Sequence, residues 1–252
     1  MQSQTSLNGE TMTNRNGQKI GHWSGKWATR FTLLASLSLL GSAANLEAAG
    51  SVSGRVTFSG SPPAVEAIEI TQDTNVCGSS IERSSVEVDG SGGLRSAVVH
   101  IAGGGKASAD EPPPDLVQEG CRFAPRVVVA RPESEIGVLN NDGILHNVHT
   151  YSEANPVVNL AQPGFVKRLP LTFDEPERVR VTCDVHSWME GWVVVTDARL
   201  VAVTDETGGF ALEGVPAGEH EISVWHPTLG EKKASVSVAD GAEATVTIEF
   251  GG

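Results

Sequence analysis

Within the run Cys183-Asp-Val-His186-Ser-Trp-Met189-Glu-Gly-Trp-Val-Val-Val195, a thiolate, an imidazole and a thioether donor fall on one short segment. The segment leads into an apolar strand pattern, so neighbouring strands pin its ends and three donors can reach one ion. Two histidines and a cysteine roughly in a plane, with a weak axial methionine, are the donors of a mononuclear type 1 copper ion. The second imidazole must come from elsewhere in the sheet. Asn140-Asn-Asp-Gly-Ile-Leu-His146-Asn-Val-His149 offers it, with His146 opening a strand after a turn. Met189 is the only methionine beyond residue 12, whereas a core in need of flexible apolar filler uses several. The expected metal ligands are therefore His146, Cys183, His186 and Met189. A four-coordinate zinc site on Cys183, His146, His149 and His186 competes with this reading, although it gives Met189 no purpose. His149 is read as a strand residue near the site. Taken singly, each of these residues has a plainer reading as core or surface; the case rests on the four together.

The elements that must position these donors are strands. Ser51–Phe58, Val65–Thr71, Ser85–Val88, Ser96–Ile101, Arg126–Ala130, Glu135–Leu139, Arg178–Cys183 and Gly191–Thr196 are short apolar or alternating runs separated by Gly/Pro/Asn/Asp turns. No long stretch carries the 3.6-residue period of an amphipathic helix. The fold class is all-β, a sandwich or barrel arrangement. Residues 198–252 repeat the pattern as a separate unit, with strands expected over Glu221–Trp225, Ala234–Val238 and Ala244–Phe250.

Lys26 and Arg30 precede the apolar run Phe31–Leu40, and small residues follow from Gly41 to Gly50. A basic region, a short apolar region and a small-residue zone describe a secretory signal peptide over residues 1–49, removed on export to the periplasm or medium. The apolar run is too short to span a bilayer, and no second run approaches that length, so no membrane span is expected in the mature chain. The whole chain carries a net charge of −13, and the leader holds more basic residues than acidic ones. That acidity argues against nucleic-acid binding. It fits solubility, and also steering towards a cationic protein partner. Cys77, Cys121 and Cys183 make an odd count for an exported protein. With Cys183 on a metal, Cys77 and Cys121 are left to form a disulfide.

Enzyme chemistry has little support. No G-x-S-x-G or H-E-x-x-H motif occurs, Gly103-Gly-Gly-Lys106 lacks the rest of a phosphate loop, and no pair of carboxylates stands out as acid and base. His100, His220 and His226 lack ligand spacing and read as surface or turn residues. Trp188 and Trp192 flank Met189, where either shields the metal or packs the core.

The pair H-N-V-H and C-x2-H-x2-M-x-G-x-V-V-V resembles the cupredoxins, and the short ligand loop is most similar to that of amicyanin. This resemblance implies a Greek-key β-sandwich, imidazole ligation by His146 and His186, thiolate ligation by Cys183 and axial ligation by Met189. It also implies that Asn147 holds the cysteine-bearing loop through hydrogen bonds, and that His186 lies on a solvent-facing edge through which electrons leave. The chain departs from amicyanin in being about twice as long and in carrying Trp188 where a smaller aromatic stands. Thr204, Asp205, Gly208, Phe210, Pro216 and Gly218 resemble the second half of carboxypeptidase-regulatory-like domains, small transthyretin-like sandwiches. The combination is similar to bacterial methylamine-utilization-like proteins. The expected organisation is a leader at 1–49, strands at 50–105 shared with the regulatory-like sandwich, a copper domain at 106–197 and the regulatory-like unit at 198–252. The copper domain is thereby expected to be inserted within a second sandwich. The expected function is electron transfer with an unidentified redox partner, a cytochrome or a dehydrogenase. The competing functions are an envelope-associated or carbohydrate-binding sandwich with a structural metal, and copper storage or delivery.

Overall fold

The computed structural model of the chain describes residues 48–106 and 113–251. The expected signal peptide, apart from its last two residues, and part of the Gly103–Pro114 loop lie outside them. The described residues form eighteen strands and a single helical turn. In chain order these are β1 (Gly50–Ser59), β2 (Glu66–Glu69), α1 (Thr74–Cys77), β3 (Ser80–Arg83), β4 (Val98–Lys106), β5 (Leu116–Glu119), β6 (Arg122–Ala124), β7 (Val127–Ala130), β8 (Glu135–Asn140) and β9 (His146–Tyr151). They continue as β10 (Asn159–Gln162), β11 (Arg168–Thr172), β12 (Glu177–Thr182), β13 (Glu190–Val195), β14 (Ala198–Val203), β15 (Gly209–Val215), β16 (Gly218–His226), β17 (Gly230–Val238) and β18 (Glu243–Gly251). No helix among the described residues is long and apolar enough to cross a membrane.

Two apolar cores organise these strands. In the first, sheets β15-β1-β18 and β14-β4-β16-β17 meet over Val52, Val56, Leu94, Ile101, Leu200, Leu212, Ile222, Val224 and Ile248. Strand β1 runs antiparallel to β15 (Val52 opposite Leu212) and parallel to β18 (Val52 opposite Ala244). Both ends of the described chain therefore build one sandwich. The Asp205 turn that feeds β15 is tied by its carboxylate, which accepts from the Thr207 and Gly209 N–H groups. Gly208 sits in it at φ +77°, where a Cβ would lie 2.3 Å from the Val56 carbonyl oxygen, so only glycine fits.

In the second core, sheets β10-β9-β12-β13-β7 and β11-β8-β5-β6 meet over Leu116, Ile136, Val138, Val148, Leu171, Val179, Val181 and Val193. Strands such as β8 (Ile136, Val138) and β12 (Val179, Val181) contribute alternate residues, as the pleat dictates. Residues 50–105 divide between the two cores. While β1 and β4 join the terminal sandwich, Ile70, Cys77 and Ile81 from the β2-α1-β3 segment pack into the second core. A small third cluster (Val98, Val127, Val194 and Trp225) lies between β4 and β16 on one side and β7 and β13 on the other.

Two readings from sequence need correction here. Ser85–Val88 pairs only through a single bridge from Val88 to Leu94. Its backbone is claimed by side chains instead, because the Ser85 carbonyl accepts from Arg126 Nη1 (2.9 Å) and Thr228 Oγ1 (2.7 Å). His226 is not a surface residue. It is fully buried, Nδ1 accepts from the Thr228 and Leu229 N–H groups, and Nε2 has no hydrogen-bond partner among the described residues.

Burial, aided by the Arg126 charge, pushes the His226 imidazole down to about 4. Burial raises the Glu177 carboxyl, but bonds from the Glu153 N–H, Ser152, Asn155 and the Ala154 N–H outweigh it and bring it down to about 2. Both groups bind protons less well folded than unfolded, so both contributions are complete at neutral pH and disappear on acidification. Stability should fall by about 2 kcal/mol between pH 6.5 and 4 through His226, and further between pH 4.5 and 2 through Glu177. Denaturant unfolding across pH checks this, and His226→Gln should flatten the upper window alone.

Candidate metal centre

His146 is the first residue of β9, and strand alternation sends His146, Val148 and Thr150 to the inner face while Asn147, His149 and Tyr151 take the other. The turn before it is built by Asn140, whose Nδ2 donates to the Ile144 (2.9 Å) and Gln162 (3.2 Å) carbonyls and whose Oδ1 accepts from the Gly143 N–H (3.1 Å). Gln162 stands opposite His146 across the β9–β10 pair and is fully buried. Its amide donates to the Val138 (2.9 Å) and Val166 (3.1 Å) carbonyls, fixing the edge from which His146 projects. Cys183 follows directly on β12 and Glu190 opens β13, so the donor loop is the whole connection between two paired strands. The Met189 N–H donates to the His186 carbonyl (2.9 Å) and closes the turn.

The loop and β9 bring three donor atoms together. His146 Nδ1 and His186 Nδ1 are 3.0 Å apart, and Cys183 Sγ lies 3.9 Å from the first and 3.8 Å from the second. All three side chains are at most 1% exposed. A point equidistant from the three atoms is about 2.1 Å from each, within the range of metal–nitrogen and metal–sulfur bonds, about 2.0–2.3 Å. Met189 is 1% exposed and packs in the same core as Cys183.

The outer nitrogens show how the site is suited to a cation. His146 Nε2 lies 2.8 Å from Asp142 Oδ2, and His186 Nε2 lies 3.1 Å from Asp73 Oδ2. A carboxylate only accepts, so each ring donates from Nε2 and leaves Nδ1 as the nitrogen that faces inward to share a cation. Two Nδ1 atoms 3.0 Å apart in a dry core need a proton or a metal cation between them. Burial pushes the Cys183 thiol up, opposed by N–H groups of Asn147, His186 and Val185. Burial pushes the His146 imidazole down, opposed by Asp142. The metal-free site therefore favours the protonated Cys183 thiol and the neutral His146 imidazole, and a metal taken up there would displace the thiol proton. The donor set fits a soft or borderline transition-metal ion.

The remaining residues fall into place around this triangle. The Asn147 N–H donates to Cys183 Sγ (3.3 Å), Asn147 Oδ1 accepts from the Asp184 N–H (2.6 Å), and Asn147 Nδ2 donates to Asn159 Oδ1. Asn147→Ala should lower stability by about 1–3 kcal/mol and metal affinity by about 10–100-fold, as read by denaturation and competitive metal titration. Trp188 packs on His186, with ring centroids 5.1 Å apart, and donates to the Cys121 carbonyl (3.1 Å). Trp192 turns away to Trp225 at 5.3 Å, in the cluster between the two cores. His149 is directed outward, with Nδ1 on Asp184 (3.0 Å) and its ring stacked on Tyr151. The four-residue cysteine–histidine set for zinc is thus not assembled. Cys77 and Cys121 form a disulfide.

The expectation of a solvent-facing His186 is overturned. Its side chain is 0% exposed, because the β2-α1-β3 segment lies over the ligand loop, with Gln72 bonded to the Val185 carbonyl and Asp73 to the imidazole. Neither Asp73 nor Asp142 was expected at the site from the sequence. Asp142 had a partial signal in its Asp-Gly turn next to His146. Asp73 had none, since it sits 113 residues from His186.

No family model matches the chain, and no curated protein matches it. Among solved structures, it is similar to amicyanin from Paracoccus versutus (17% identity, 39% of this chain and 97% of that chain, TM-score 0.30). It is similar to a purple cupredoxin from Nitrosopumilus maritimus (20% identity, 29% of this chain and 81% of that chain, TM-score 0.26). It is also similar to a copper-containing nitrite reductase from Thermus scotoductus (22% identity, TM-score 0.30), where 38% of this chain spans only 25% of that one.

Proposed function

We propose that the protein is an exported electron-transfer protein holding one type 1 copper ion on His146, Cys183 and His186, with Met189 as the axial ligand. The observation that carries this reading is the buried triangle of two Nδ1 atoms and one Sγ, with both outer nitrogens within hydrogen-bond reach of carboxylates. Bound copper supplies one-electron chemistry, cycling between Cu(I) and Cu(II). The chain's own residues keep the geometry the same in both states. The strand-pinned loop fixes Cys183 and His186, the Asn140–Gln162 network fixes His146, and Trp188 with the surrounding apolar side chains excludes water. Every donor belongs to the protein, so the role needs no substrate position, and we infer a redox protein as partner rather than an enzymatic substrate. Residues 1–49 direct export to the periplasm or beyond.

Copper-loaded protein should show an intense visible charge-transfer band when oxidised, lose it with ascorbate and regain it on reoxidation. A colourless protein that retains zinc in preference to copper would reject the reading. Loosely held Cu(I) without a reversible band would favour storage or delivery instead.

A further inference from the structure

The two carboxylates behind the ligand histidines are the least expected feature of the site. Asp73 stands at the N-cap position of α1 in the left-handed conformation (φ 50°), yet its side chain makes no capping bond. A carboxylate there ordinarily accepts from the N–H groups of the first helical turn. Here it turns away and meets His186 Nε2 at 3.1 Å, the one hydrogen bond its side chain makes among the described residues. Asp142 serves His146 in the same manner at 2.8 Å while also accepting from the Gly120 (2.7 Å) and Cys121 (3.0 Å) N–H groups. The Asp142 side chain is 5% exposed and that of Asp73 is 38% exposed. The segments behind the two carboxylates are joined, because Cys77 ends the helix that begins after Asp73 and Cys121 is bonded to Asp142. One disulfide thus braces both aspartates against the imidazoles.

Resting on the copper reading above, we propose that Asp73 and Asp142 are positioning residues that lock both imidazoles in the Nδ1-ligating tautomer and bias the site towards the more highly charged ion. The physical basis is Coulombic. A negative charge held behind each ring attracts a doubly charged ion more than a singly charged one, and does so most where water is excluded. Asp142, the more buried, has the larger effect, although its backbone bonds share part of its charge. The pair lowers the reduction potential relative to the same ligands without carboxylates.

The test is the reduction potential of copper-loaded wild type, Asp73→Asn and Asp142→Asn. Asparagine is isosteric with aspartate and tolerates the left-handed conformation, so Asp73→Asn keeps the fold and the contact while removing the charge. Each variant should shift the ratio of Cu(II) to Cu(I) affinity about tenfold or more towards Cu(I), a rise of about 59 mV per decade, with Asp142→Asn shifting further. Asp142→Asn also risks the turn at Gly120, so the potential of Asp73→Asn is the deciding measurement. A second readout is independent of copper: in the metal-free protein, nitrogen NMR of the His186 ring should show Nε2–H in wild type and a mixture of tautomers in Asp73→Ala. An unchanged or lowered potential in Asp73→Asn, with the wild-type visible band retained, overturns the proposal, as does an unaltered tautomer in Asp73→Ala. Wild type that fails to take up copper or develop the band instead overturns the underlying copper reading.

Discussion

Cys183→Ser should abolish the intense visible band of the copper-loaded protein altogether. The sulfur is the one soft donor in the triangle, 3.8 and 3.9 Å from the two Nδ1 atoms, and thiolate-to-metal charge transfer needs it. A serine oxygen is harder and smaller, and its hydroxyl does not give up its proton at neutral pH. The buried pocket then offers two neutral imidazoles and a hydroxyl, and affinity for Cu(II) should fall with the colour. Met189→Leu is the informative contrast. Its side chain packs in the same core, and leucine is close to it in volume, so folding should change by under about 1.5 kcal/mol. With Met189 as the weak fourth donor proposed above, the band should persist while the potential moves. Absorption spectra and voltammetry of the two variants separate these outcomes. A Cys183→Ser protein that keeps the band would mean that the colour comes from another site.

Replacing Cys77 and Cys121 together by serine should lower unfolding stability by about 4 kcal/mol, the chain-entropy expectation for a disulfide joining residues 44 apart. Both cysteines lie in the second core, Cys77 at 7% and Cys121 at 0% exposure, so the serines add two poorly placed hydroxyls to that loss. The variant is preferable to a reductant, which would also reduce the metal. Because Asp73 rides on the segment this bond anchors, the double variant should move the potential in the direction of Asp73→Asn. Denaturant unfolding of the loaded and metal-free variant measures the first effect and voltammetry the second. A stability change below about 1 kcal/mol would show that the second core holds the segment without the bond.

The strands that carry the donors were legible in the sequence because their apolar periodicity is local. β12 and β13 alternate or run apolar for six residues each, and the donor loop lies between them with no gap. The terminal sandwich was legible in part, since β1 and β18 alternate strongly, although their parallel pairing is a long-range fact no window of sequence contains. Several short strands were missed. β5, β6 and β10 are three or four residues long, and β11 contains Pro170, each too brief or too irregular to stand out. The segment from Glu66 to Arg83 was the main surprise. It is polar on most positions, and Ile70, Cys77 and Ile81, with the partly buried Ile68 and Val76, fix it to the second core; that packing brings Asp73 to His186 and buries the ligand expected at the surface. Side chains that meet a site across such distances leave no local spacing to read, which is why the candidate donors could be named from the sequence and the two carboxylates behind them could not.

The most direct test of the central claim is X-ray absorption at the copper edge on the oxidised, stoichiometrically loaded wild-type protein. Two imidazole nitrogens and one short sulfur scatterer per copper are the predicted neighbours, with the sulfur shell gone in Cys183→Ser. A copper ion surrounded by nitrogen and oxygen alone in the wild type would contradict the assignment of His146, Cys183 and His186 as one metal centre.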